Sequence, residues 1–171
     1  MNKKGFTLVE LLAVIAILAI LVIIALPNIM SMFNQARQNS FTTEVKEIYK
    51  MAQQQWISDS MLETKPITYQ RLNGVVGSYG TSDTEKGLDM SGRTELDYAI
   101  QFDKAGNVIK YVATDNTYYF EFTGSASAPL KIEDIGTEEN PVDSLTNNNY
   151  TEAAITVTDG VPTMTLTASG S

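Results

Sequence analysis

Lys4-Gly5-Phe6-Thr7-Leu8-Val9-Glu10 leads into residues 11–26, Leu-Leu-Ala-Val-Ile-Ala-Ile-Leu-Ala-Ile-Leu-Val-Ile-Ile-Ala-Leu, an unbroken apolar run. No charged residue lies between Glu10 and Arg37. A helix needs about 20 mostly apolar residues to cross a bilayer, and Phe6 to Leu26 meets that length with Glu10 as its only charge. Lys3 and Lys4 precede it, so the positive-inside rule keeps the N-terminus in the cytoplasm and sends the rest of the chain outside. Three plain readings compete. An ordinary cleaved secretory signal would end at a small-residue site, but this segment runs on through Leu26-Pro27-Asn28. A buried helix of a soluble domain does not need this length. A simple signal anchor leaves Glu10 unexplained, because a carboxylate near the bilayer centre costs about 2.5–3.5 kcal/mol, though less near its edge.

The rest of the composition narrows the chemistry. The formal net charge is −8, and loss of Lys3 and Lys4 with the first five residues would take it to −10. Nucleic acid, or a broad contact with anionic lipid heads, would call for a basic surface instead. There is no cysteine and no histidine. Disulfides, thiolate chemistry and the commonest general base are therefore all missing. An enzyme would need paired carboxylates or a Ser-Lys arrangement, and no such constellation stands out. We therefore read the chain as non-enzymatic, with no catalytic, cofactor-binding or metal-ligating residues.

Residues 4–10 with the apolar run after them closely resemble the type IV prepilin signature. The resemblance implies a leader of residues 1–5, cut by prepilin peptidase between Gly5 and Phe6, and methylation of the new amine on Phe6. Glu10 then holds the place of the family's glutamate, and Phe6 and Glu10 together set subunit register during assembly. In that reading the Glu10 carboxylate pairs with the N-terminal amine of an adjoining subunit. Within its own helix Glu10 also lies in the first turn, where the macrodipole favours an anion, and both roles stay open. Pro27 falls where many pilins carry a helix-bending proline. It lacks an amide hydrogen and clashes with the turn before it, so a kink or local melting is expected there. Many Gram-negative pilins close their C-terminal region with a disulfide. This chain cannot, which points to a Gram-positive, clostridial-type pilin.

Beyond the membrane segment (6–32) we expect one globular domain, 33–171. Phe41, Val45, Ile48, Ala52 and Trp56 recur at spacings of three and four, the stripe of an amphipathic helix reaching about Leu62. Residues 63–94 read as a loop, and Gly74, Gly77 and Gly80 in it lack the context of a phosphate cradle. A β-meander follows over 95–123. There Leu96, Tyr98, Ile100 and Phe102 alternate with a row of Asp97, Ala99, Gln101 and Asp103. Residues 124–152 read as a polar variable loop. Glu133, Asp134, Glu138, Glu139 and Asp143 fit no EF-hand spacing, and Asn149-Tyr150-Thr151 is a weak glycosylation match. A hairpin over 153–168 turns at Asp159-Gly160, with Pro162 removing one ladder donor and placing it at an edge. The expected fold is α+β and pilin-like: a long N-terminal helix whose hydrophobic half projects and whose amphipathic half packs on an antiparallel sheet.

The resemblance then implies a structural subunit of a type IV pilus, the major pilin, serving adhesion, motility or biofilm. Its partners would be further copies of itself in a helical homopolymer, prepilin peptidase, the assembly platform with its ATPase machinery, and the membrane before assembly. No nucleic acid and no cofactor is expected. The precursor would sit in the cytoplasmic membrane, and the product would be an extracellular filament. A pseudopilin of type II secretion, or a subunit of a DNA-uptake filament, shares the same N-terminal code. A membrane-anchored binding protein with a chance signal is a further alternative.

Overall fold

Helix α1, Leu8–Asp59, carries both kinds of apolar pattern. The computed structural model of the chain describes residues 7–61, 65–88, 90 and 96–170, with backbone alone at 27 and 28. It divides into two units, Met1–Arg37 and Gln38–Ser171. The helix is unbroken through Pro27, so the local melting expected there does not occur. In the second unit the helix is one-sided. Phe41, Val45, Ile48 and Ala52 are fully buried and Tyr49 nearly so. Trp56 is half-buried at the end of the same row and stacks on Phe102, with ring centroids 6.1 Å apart and planes at 22°.

That row lies against a six-stranded antiparallel sheet. Its strands are β1 (Ile67–Leu72), β2 (Val75–Tyr79), β3 (Asp97–Phe102), β4 (Val108–Thr114), β5 (Tyr118–Thr123) and β6 (Val142–Ser144). Their order is β2-β1-β3-β4-β5-β6. Strands β3 to β5 form the meander, and Tyr98, Ile100, Phe102, Tyr111 and Phe120 share the main core with the helix stripe. Fully burying each aliphatic or Phe side chain is worth about 1.5–3 kcal/mol. Two buried tyrosines in this layer also bond to backbone. The Tyr111 hydroxyl donates to the Val45 carbonyl of the helix at 2.8 Å, and the Tyr49 hydroxyl donates to the Leu130 carbonyl at 3.0 Å. Burial pushes the Tyr111 hydroxyl well above its ordinary pKa, which keeps it a donor.

Two segments expected as loops carry strands. Residues 67–79, inside the expected 63–94 loop, are the β1–β2 hairpin. Asn73 and Gly74 have φ of 51° and 79°, which two successive central residues of a type I′ turn require and which Asn-Gly adopts readily. The polar 124–152 segment buries Leu130, Ile135, Val142 and Leu145. It adds β6 to the sheet edge and makes two short 3-10 turns, Ile132–Asp134 and Thr146–Asn148.

The C-terminal hairpin, β7 (Tyr150–Thr158) and β8 (Val161–Ala168), starts three residues earlier than the sequence suggested and forms a sheet of its own. It covers the face of the main sheet opposite the helix. Ala99 and Gln101, which alternate with the apolar row of β3, are buried there, and Ala99 and Val112 pack with Ala153, Ile155 and Met164. The hairpin tip is clasped. The Gly160 carbonyl accepts from the buried Gln101 amide at 2.8 Å and from the Thr68 hydroxyl. Asp159 and Gly160 both have positive φ, 51° and 78°, so Thr158 and Val161 close the turn as a hydrogen-bonded pair. Pro162 stands opposite Val157, the next and non-bonded position, so it removes no bond between the two strands.

At the end of α1 the Asp59 carboxylate sits where the helix dipole disfavours an anion. It is compensated by Gln55, by Tyr69 at 2.8 Å and by Lys86 at 2.9 Å. Burial raises its pKa, but the bonds from Gln55, Lys86 and Tyr69 outweigh that and hold it below the usual carboxylate value. A depressed pKa in the folded state contributes stability above the unfolded value, which is lost as pH falls through the folded one. The protein in detergent should therefore lose thermal stability below about pH 4, and Asp59→Asn should flatten that part of the profile. Gly160→Ala should cost at least about 2 kcal/mol in the same melts, since alanine disfavours this φ and its Cβ would strike the Tyr79 ring.

Candidate assembly segment

From Thr7 to Arg37 every side chain described is exposed. Leu8 is 80 % and Ile23 71 % exposed, although both are strongly apolar. None of the helix's most apolar 18-residue stretch is buried. A helix hydrophobic all round wants an apolar environment on every side. Leu and Ala propagate it, Val and Ile lower its propensity only slightly, and nothing in 11–26 competes with the backbone for hydrogen bonds.

Its first turn is closed by a reciprocal pair. The Thr7 amide and hydroxyl both donate to Glu10 Oε2 at 2.8 Å, and the Glu10 amide donates to Thr7 Oγ1 at 3.3 Å. The Thr7 carbonyl accepts the first helical bond, from the Leu11 amide at 3.2 Å. This is a capping box, which satisfies amides that a helix start leaves orphaned. Its signature, Thr-x-x-Glu ahead of an apolar run, is present at Thr7 to Glu10, and Thr7 is the functional side chain that the sequence reading passed over. Glu10 is thus held by its own helix end. Both bonds to the carboxylate use Oε2, and among the described residues Oε1 has no partner. One carboxylate can serve its own cap and still accept a second donor.

Gly5 and Phe6, the expected cut and methylation site, lie outside the described residues. Pro27 lies within α1, whereas Phe41, Val45, Ile48 and Ala52 belong to the core of the second unit and Trp56 packs against it. Among the described residues no group of three or more acidic side chains could hold a metal ion. Two open clefts, one beside Met51, Gln55 and Leu88 and one beside Lys65, Tyr79 and Thr84, line up no pair of carboxylates.

Residues 1–26 match the family model described as the prokaryotic N-terminal methylation motif. The segment is a prepilin-type signal, and the chain that carries it has a pilin-like α+β architecture. No curated protein and no solved structure matches the chain.

Replacing Thr7 by Val keeps the shape and removes both hydroxyl bonds of the cap. Losing a cap costs about 1 kcal/mol, so amide exchange at Glu10 and Leu11 in micelles should rise about fivefold. Exchange in the second unit should not change.

Proposed function

We propose that this protein is the major structural subunit of a type IV pilus, cut between Gly5 and Phe6, methylated on Phe6 and polymerised through α1. It is a structural subunit and not an enzyme. The observation that carries the reading is the fully exposed apolar length of α1 behind a prepilin-type signal, in a chain that also holds a separate folded unit with its own core. Such a helix is stable in a bilayer before assembly and among like helices after it, and only those two environments cover it on all sides. The precursor lies in the cytoplasmic membrane with its N-terminus inside, and the product is a filament on the cell surface that serves adhesion, motility or biofilm. Prepilin peptidase, the assembly platform and its ATPase handle it in turn.

In the filament Glu10 keeps its Thr7 cap and offers Oε1 to the methylated amine of an adjoining subunit. That amine stays cationic at neutral pH and would otherwise be buried alone. An unpartnered buried charge costs about 3–5 kcal/mol, and the loss would repeat at every subunit.

Sheared surface filaments should contain this chain, and its intact mass should show loss of Met1 to Gly5 plus one methyl group. Surface material that still carries Lys3 and Lys4 would defeat the processing claim. Glu10→Ala should leave insertion and cleavage intact while filaments fall to a small fraction of wild type and processed monomer collects in the membrane. Glu10→Gln should recover only part of the yield, because it accepts a hydrogen bond but cannot neutralise the amine. Full filament yield from Glu10→Ala would show that the carboxylate serves its own helix end alone. Sheared filaments built from a different subunit, with this chain confined to a secretion complex, would favour the pseudopilin reading.

A further inference from the structure

The two faces of the six-stranded sheet are covered by very different layers. On the helix side the contact is large and apolar, with Phe41, Ile48, Tyr69, Phe102, Tyr111 and Phe120 fully buried. On the hairpin side Ala99 and Val112 are the small, fully buried residues of the sheet. Among the described residues Leu145 is the one large side chain fully buried beside them, Ile155 and Met164 of the hairpin are less completely covered, and the polar Thr68 and Gln101 lie at the same layer. Dispersion and hydrophobic terms scale with the apolar area in contact, so the second layer is held more weakly. Strands β7 and β8 pair with each other and join no ladder of the main sheet.

What secures the hairpin is local. At its tip the Gly160 carbonyl takes the bonds from Thr68 and Gln101. At its base the Thr146–Asn148 turn ends on Asn149 with φ of 59°, and the Tyr150 amide donates to Leu145 at 2.8 Å. Gln70 shares a face of β1 with Thr68, and its Oε1 is buried with no hydrogen-bond partner among the described residues. A buried acceptor without a donor has given up water for nothing, so the strand that carries the Thr68 donor also carries a local cost.

We propose that the β7–β8 hairpin is a strap that opens as one unit, hinged at residues 146–149 and latched by the Gly160 carbonyl, while the six-stranded sheet and its helix stay folded. Proteins open in such cooperative pieces, and the piece with few apolar contacts opens first. Once released, a two-stranded hairpin is marginal in water, so its own ladder frays and all of its amides lose protection together. The open state bares the Ala99 and Val112 face of the sheet without disturbing the helix side.

Hydrogen exchange of the full chain in detergent micelles, read by mass spectrometry, tests this. Peptides covering 150–168 should exchange as a block at least about tenfold faster than peptides covering 97–114. Thr68→Val removes one of the two latch donors at nearly constant shape. It should speed the 150–168 block by a further several-fold and leave 97–114 unchanged. Equal rates for the two regions in the wild-type protein would overturn the proposal, and that comparison needs no variant. So would a Thr68→Val protein in which both regions accelerate together, since sheet and hairpin would then be one unit.

Discussion

The folded unit depends on one row of side chains, Phe41, Val45, Ile48 and Ala52, meeting a sheet face wide enough to bury all of them. The row is fully buried, and its spacing is what makes a single helical face. Ala52 has a small side chain, which permits close approach late in the row, and Trp56 beyond it closes the end over Phe102. The sheet answers with aromatic residues. Phe41 meets Tyr118 at 6.1 Å, and Tyr111 meets Phe120 edge-on at 5.3 Å. A tyrosine in such a layer needs a partner for its hydroxyl, and the helix backbone supplies one to Tyr111. The same bond fixes how far along the sheet the helix can slide, because the Val45 carbonyl must stay within reach.

Strong periodicity was legible in the sequence. The helix stripe and the meander stand out because large apolar residues repeat there at helical and strand spacings. What went unread fails that test for a physical reason. In β1 and β2, Gln70, Arg71, Gly77 and Ser78 interrupt the alternation, and only the Asn73-Gly74 pair announces the turn. The dipeptide is a strong hairpin signal, but it was lost among the many small polar residues of 63–94. In β3 the sequence shows one apolar face, and the opposite row of Ala99 and Gln101 does not advertise burial. Ala99 is buried because the hairpin needs a flat seat, and Gln101 because its amide is the latch. A second cover on a sheet face leaves little trace when that face is made of small residues.

The N-terminal segment shows the opposite case, where a local rule was hidden by a conspicuous one. Glu10 drew attention as the only charge in an apolar run, and its resemblance to an assembly glutamate left Thr7 unconsidered. The structure puts both residues in one capping box. The two accounts need not compete, because both capping bonds to the carboxylate use Oε2. A carboxylate whose rotamer is fixed beforehand loses less freedom on meeting any second donor.

The clasp on the C-terminal hairpin has a kinetic consequence. Closing a chain with sulfur requires an oxidant and takes seconds to hours, with isomers to be sorted on the way. Closing it with the Gly160 carbonyl requires neither. The strands can zip on the microsecond scale of hairpins, and the clasp re-forms whenever it breaks. A domain fastened in this way reaches its finished shape at the same speed in a reducing medium as in an oxidising one, and oxygen supply does not limit its folding.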